Sequence, residues 1–210
     1  MSYEERKNKY ENVRSPEELL EFMEEYIKYG FVGIDNKLYD NWESDVSGEF
    51  QIACQTKYGL CDAEKILKYG YGVCWDQVEL ERDWFFKNGY EFKTIYIWFL
   101  FENENSYLTH TYLVYKEKNS NKYCYFEHSD SNNIGIHKFN TYKKAIEYQK
   151  NKHIEFNKNI GNVINDDILK HLVIYEFDCP KVDCSMEEYI SNILDSKIIY
   201  KDNKYIDIYD

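Results

Sequence analysis

Two hydrophobic periods run along the chain, and they predict where helices and strands fall. Near the start, Ser15-Pro16-Glu17-Glu18 places an N-cap serine, a proline at the first helical position and acids in the first turn. Leu19, Leu20, Phe22, Met23 and Tyr26 then supply the apolar face of a helix that Gly30 ends. Residues 31 to 50 mix aromatic, acidic and glycine residues without a period and read as irregular. Asp62 caps a short helix ending at Gly70, and Trp75 to Asn88, free of Pro and Gly and followed by Gly89, predicts another. Strand-like segments follow: Phe92 to Phe101, Leu108 to Tyr115, Lys122 to Glu127 and Ile134 to Phe139. Thr141 opens a long polar helix to about Asn159, Leu172 to Phe177 reads as a strand, and Ser185-x-x-Glu188 is a capping box before a helix from Met186 to Leu194. Helices, then an antiparallel sheet, then helices with one more strand predict an α+β fold. No repeat or linker interrupts the pattern. The expected organisation is a single domain over 1–210, with a core over 60–139, an N-terminal helical part over 1–59 and a C-terminal helical part over 140–210.

Composition narrows the function classes. Of 210 residues, 18% are aromatic and only two are proline, which excludes a collagen-like or disordered chain. A formal net charge of -12 argues against nucleic acid or an anionic membrane as partner, because phosphate binding needs clustered Lys and Arg. The first ten residues are charged throughout, without the apolar run of a signal peptide, and no stretch approaches about 18 apolar residues. The six cysteines are therefore expected as free thiols in a reducing cytoplasm. The spacings Cys54-x6-Cys61 and Cys179-x4-Cys184 do not make a zinc knuckle, and no metal or cofactor is expected.

Cys74 stands out by position. It lies in Tyr71-Gly72-Val73-Cys74-Trp75-Asp76, at the junction of a glycine turn and a helix start, where unpaired amides and the helix dipole favour a thiolate and can hold an oxyanion. The bland alternative is a small buried hydrophobe. A thiol nucleophile needs a base, and His110 sits in a strand with few other polar groups, though a core histidine bonded to a carbonyl is an equal reading. His128, His137, His153 and His171 read as surface or structural. A third group would orient the imidazole. An even hairpin loop puts Tyr123, Tyr125 and Glu127 on the His110 face, whereas a three-residue loop would bring His128 and Asp130 there.

The order Cys, His, acid on a helix start and two following strands resembles the transglutaminase-like superfamily, a branch of the papain-like fold. The resemblance rests on Tyr71-Gly72-Val73-Cys74-Trp75, on His110-Thr111-Tyr112-Leu113-Val114-Tyr115 and on Phe126-Glu127-His128-Ser129, and is nearest to small bacterial and phage-type members. It covers about residues 60 to 139. It implies a nucleophile helix packed on an antiparallel sheet, with Cys74 as nucleophile, His110 as general base and acid, and Glu127 as the orienting carboxylate. Glu replaces the family's usual Asp, which leaves Asp130 as an alternative third member. Val73 stands where animal transglutaminases often have Gln, and Tyr112 where they have Trp, which weakens protein cross-linking as the specific activity. The expectation is a cysteine hydrolase or acyltransferase acting on a peptide or protein amide, with hydrolysis ahead of cross-linking. The alternative is an inactive peptide- or protein-binding module on the same fold. An N-acetyltransferase-like use of the triad finds no support in the sequence.

Overall fold

A computed structural model describes residues 1–40, 48–101 and 108–208. The fold is α+β. Eight helices and nine strands are seen among the described residues: α1 (Tyr3–Glu11), α2 (Pro16–Tyr26), β1 (Phe31–Val32), β2 (Leu38–Tyr39), α3 (Glu49–Lys57), α4 (Ala63–Tyr69), α5 (Cys74–Lys87), β3 (Phe92–Phe99), β4 (His110–Lys116), β5 (Tyr123–Glu127), β6 (Gly135–Phe139), α6 (Tyr142–Asn159), α7 (Asp166–Leu169), β7 (Leu172–Phe177), α8 (Met186–Leu194), β8 (Lys197–Lys201) and β9 (Lys204–Tyr205). Helix starts follow local chemistry. The side chains of Ser15, Asp62 and Thr141 accept from Glu18, Lys65 and Lys144 amides, and Ser185 and Glu188 bond reciprocally.

Three regions depart from the pattern reading. The segment expected to be irregular over 31 to 50 contains the β1–β2 hairpin and the start of α3; its residues 41 to 47 lie outside the described ones. Helix α1 was not expected, because only Tyr10 of its nine residues is buried and there is no apolar face to read; a Ser2–Glu5 capping box starts it. Helix α2 stops at Tyr26, before Gly30, because Ile27 turns extended and Lys28 instead forms a parallel bridge with Tyr71.

The chain divides into two compact units. The first comprises residues 1–84, 127–136 and 179–192. Its core holds Leu19, Met23, Leu60, Ile66, Val78 and Leu80, all essentially inaccessible. Each such side chain contributes about 1.5–3 kcal/mol by leaving water. The aromatic excess works here as packing: Phe31 meets Tyr39, Phe50 and Tyr58, and Trp75 stacks on Tyr189 with ring centroids 4.4 Å apart.

The second unit comprises residues 85–126, 137–178 and 193–210 and holds most of a seven-stranded sheet, ordered β6-β5-β4-β3-β7-β8-β9. The pairs β3–β4, β3–β7, β4–β5, β7–β8 and β8–β9 are antiparallel. Lys116 pairs with Tyr123 and Val114 with Tyr125, so the β4–β5 loop is even in length, with Asn119 taking the positive φ of the turn. One face of the sheet carries Ile95, Ile97, Tyr112, Val114 and Tyr125 and packs with Ala145 and Ile146 of α6. The other face carries Tyr115 and Phe126, which pack on Phe85 of α5.

Candidate active site

The turn before α5 is held by two side chains of the first unit. Asp76, in the first turn of the helix, is fully buried and reaches back to accept the Val73 amide at 3.0 Å. Its other oxygen accepts from the Tyr58 hydroxyl at 2.7 Å and the Cys61 amide at 2.9 Å. Burial raises the Asp76 carboxyl to about 7, against the lowering effect of these three donors. Gln77 donates from Nε2 to the Gly72 carbonyl at 2.7 Å, and its Oε1 lies 2.6 Å from Nδ1 of His128. Because Oε1 can only accept, Nδ1 of His128 carries the hydrogen. Gly72 permits this closeness: a Cβ there would stand 3.0 Å from Asp76 Cβ and 3.3 Å from Gln77 Cγ.

Cys74 is the first residue of the 14-residue α5 and is 8% exposed. Val73 before it has no side-chain oxygen to cap the helix as Ser15, Asp62 and Thr141 do in theirs, and its carbonyl accepts from the Asp76 and Gln77 amides, both at 2.9 Å. Cys74, Cys54 of α3 and Asp76 are electrostatic neighbours of the Tyr29 phenol. Burial pushes the Tyr29 phenol well above its ordinary range, and Cys74 adds to the shift.

Glu127 belongs to the same unit as Cys74 and is 2% exposed. Its Oε1 accepts from the Asp130 amide at 2.8 Å and the Ser129 hydroxyl at 3.2 Å. Asp130 is half-buried and turns its carboxylate onto the Asn132 amide of its own turn. His128 is buried; loss of solvation lowers its imidazole to about 4, with Glu127 and the Met23 backbone opposing. His110 opens β4 in the second unit, stacked near Tyr112. By strand alternation it takes the face that α6 covers, where buried His153 is its electrostatic neighbour. Burial, then the neighbouring His110, lowers the His153 imidazole to about 3.

Cys74 and Glu127 thus share one unit and His110 lies in the other. Sequence spacing did not single out Asp76 or Gln77, and His128, read there as surface or structural, is buried. The Asp76 return to the Val73 amide is a three-residue link that could have been read; its bonds to residues 58 and 61 could not.

All six cysteines are free thiols. Among the described residues, no three His, Cys, Asp or Glu side chains gather as a metal site, and no helix is long and apolar enough to cross a membrane. No family model, curated protein or solved structure matches the chain.

Proposed function

We propose that the protein is a cysteine acyl-transfer enzyme of the transglutaminase-like, papain-like type, acting on a peptide or protein amide in the cytoplasm. The observation that carries the reading is the placement of Cys74 as the first residue of α5, after a turn fixed by Asp76 and Gln77. The positive end of the α5 dipole favours negative charge on sulfur and on the oxyanion of an attacked carbonyl. In the proposed reaction His110 takes the thiol proton and the thiolate bonds to the amide carbon. The C–N bond then breaks and the amine leaves with the proton from the imidazolium. Water next gives a proton to His110 and adds to the thioester; the C–S bond breaks and the proton returns to sulfur. An amine in place of water gives transfer. Glu127, the more buried of the two carboxylates, is the proposed orienting group.

A second reading, an inactive peptide- or protein-binding module, is favoured by one observation: Cys74 is only 8% exposed. Incubation with a mixed peptide pool, with and without a primary amine, separates the two. The enzyme reading expects ammonia or new amine termini, a mass adduct on Cys74, and loss of both in Cys74→Ala. Peptide capture by wild type and Cys74→Ala alike, without turnover or adduct, supports the binding module and overturns the enzyme.

A further inference from the structure

We propose that Asn157 is a positioning residue for His110: its side-chain amide pins the chain that enters β4 and keeps the neighbouring His153 neutral. This deepens the cysteine-enzyme reading and rests on His110 being the base.

A row of polar side chains stands where packing calls for apolar ones. Gln149, His153 and Asn157 follow one another at four-residue spacing on the buried face of α6. Burying such groups costs free energy unless each is bonded, so they do not add to stability as Leu or Ile would. Gln149 Oε1 has no partner among the described residues. Asn157, by contrast, makes every bond that its amide can make. Its Oδ1 accepts from the Leu108 amide and from Nδ2 of Asn162, both at 3.1 Å. Its Nδ2 donates to the His153 carbonyl at 3.1 Å and to Nε2 of the His153 ring at 3.3 Å.

Two consequences reach His110, and both stay within the second unit. The first is placement. Leu108 lies two residues before His110, which pairs with Ile97 of β3. Phe99, the last residue of β3, stacks on the His153 ring with centroids 5.8 Å apart. Asn157 and His153 therefore hold the start of one strand and the end of the other where His110 enters the sheet. The second consequence is charge. With Oδ1 committed to two donors, the orientation of the Asn157 amide is fixed. Nε2 of His153 must then accept, and the ring hydrogen sits on Nδ1. A neutral His153 adds no charge to oppose the imidazolium that His110 forms in the proposed reaction, and burial acts in the same direction.

The test uses the full-length protein with Asn157→Ala and Asn157→Asp, and Gln149→Leu as a control that alters the same face of α6 without touching the Asn157 bonds. Nitrogen NMR of the wild type is expected to find the His153 hydrogen on Nδ1 and a Leu108 amide that exchanges slowly. Asn157→Ala is expected to speed that exchange by about tenfold and to shift the His110 ring signals. Asn157→Asp keeps the Leu108 bond but sets a carboxylate against His153, so Leu108 stays protected while the His153 hydrogen moves to Nε2. Iodoacetamide labelling of Cys74 is expected to slow by about tenfold or more in Asn157→Ala and not in Gln149→Leu. In a His110→Ala background, Asn157→Ala is expected to change it no further. A Leu108 amide or His110 signal unmoved by Asn157→Ala, or a wild-type His153 carrying its hydrogen on Nε2, overturns the proposal. So does an equal slowing in the His110→Ala background, which would mean a general loosening. Should Asn157→Ala fail to fold, the Asn157→Asp signals decide alone. If His110→Ala leaves Cys74 labelling unchanged while the Leu108, His110 and His153 signals respond as expected, the positioning stands and the enzyme reading falls.

Discussion

Two buried groups of the first unit pull stability in opposite directions with pH. The Asp76 carboxyl is raised from 3.8 to about 7, so the folded state holds its proton more tightly than the unfolded chain. Its contribution is full below about pH 4 and is lost as pH rises through about 7. The His128 imidazole is lowered from 6.5 to about 4, so its contribution is full above about 6.5 and is lost as pH falls through about 4. His153, lowered from 6.5 to about 3, acts in the His128 direction. Urea unfolding followed from pH 4 to 8 is expected to show Asp76→Asn losing a component that falls with pH. His128→Gln is expected to lose one that rises with pH. Equal slopes in wild type and variant would refute the corresponding assignment. Gln77→Leu is the sharper packing test. It strips a donor from the Gly72 carbonyl and an acceptor from the His128 Nδ1, leaving two buried polar groups, at a cost of about 2 kcal/mol or more. A urea midpoint unchanged with Gln77→Leu would mean that this link holds nothing.

At the scale of elements, the turn into α5 has little room. Gly72→Ala drives a methyl against Asp76 and Gln77, both fixed by their own bonds, and is expected to cost about 1–3 kcal/mol. Thermal melting checks this, and a neutral result would show the turn to be adaptable. The elements legible in the sequence are those whose signals are local. Ser15, Asp62, Thr141 and Ser185 each sit beside the amide they bond, and the helices they start were expected in place. The α5 start was likewise legible, so Cys74 could be singled out. What escaped depends on distant partners. Two-residue strands such as β1 and β2 have no period to read, and the Lys28–Tyr71 bridge that shortens α2 joins segments far apart in sequence. The pairing of Ile97 with Ile174, which sets β7 beside β3, is equally invisible to spacing. For the same reason the sequence did not mark the Asp76 carboxylate, which ties together Val73, Cys61 and Tyr58.

For the whole molecule, the net charge of -12 acts on stability and on the site alike. Self-repulsion of this kind is screened by salt, so raising ionic strength from about 0.02 M to about 0.3 M is expected to raise the melting temperature. A fall would show that surface ion pairs such as Lys93–Glu176 outweigh the repulsion. The charge also gives a proposed Cys74 thiolate no long-range help and leaves it to local effects such as the α5 terminus. The most direct measurement is therefore the rate of iodoacetamide labelling at each cysteine near pH 6, in wild type and in His110→Ala. The proposed function predicts that Cys74 labels much faster than Cys54 or Cys184 and that His110→Ala removes the advantage. Cys74 labelling no faster than the other thiols, or only above about pH 8, would contradict it.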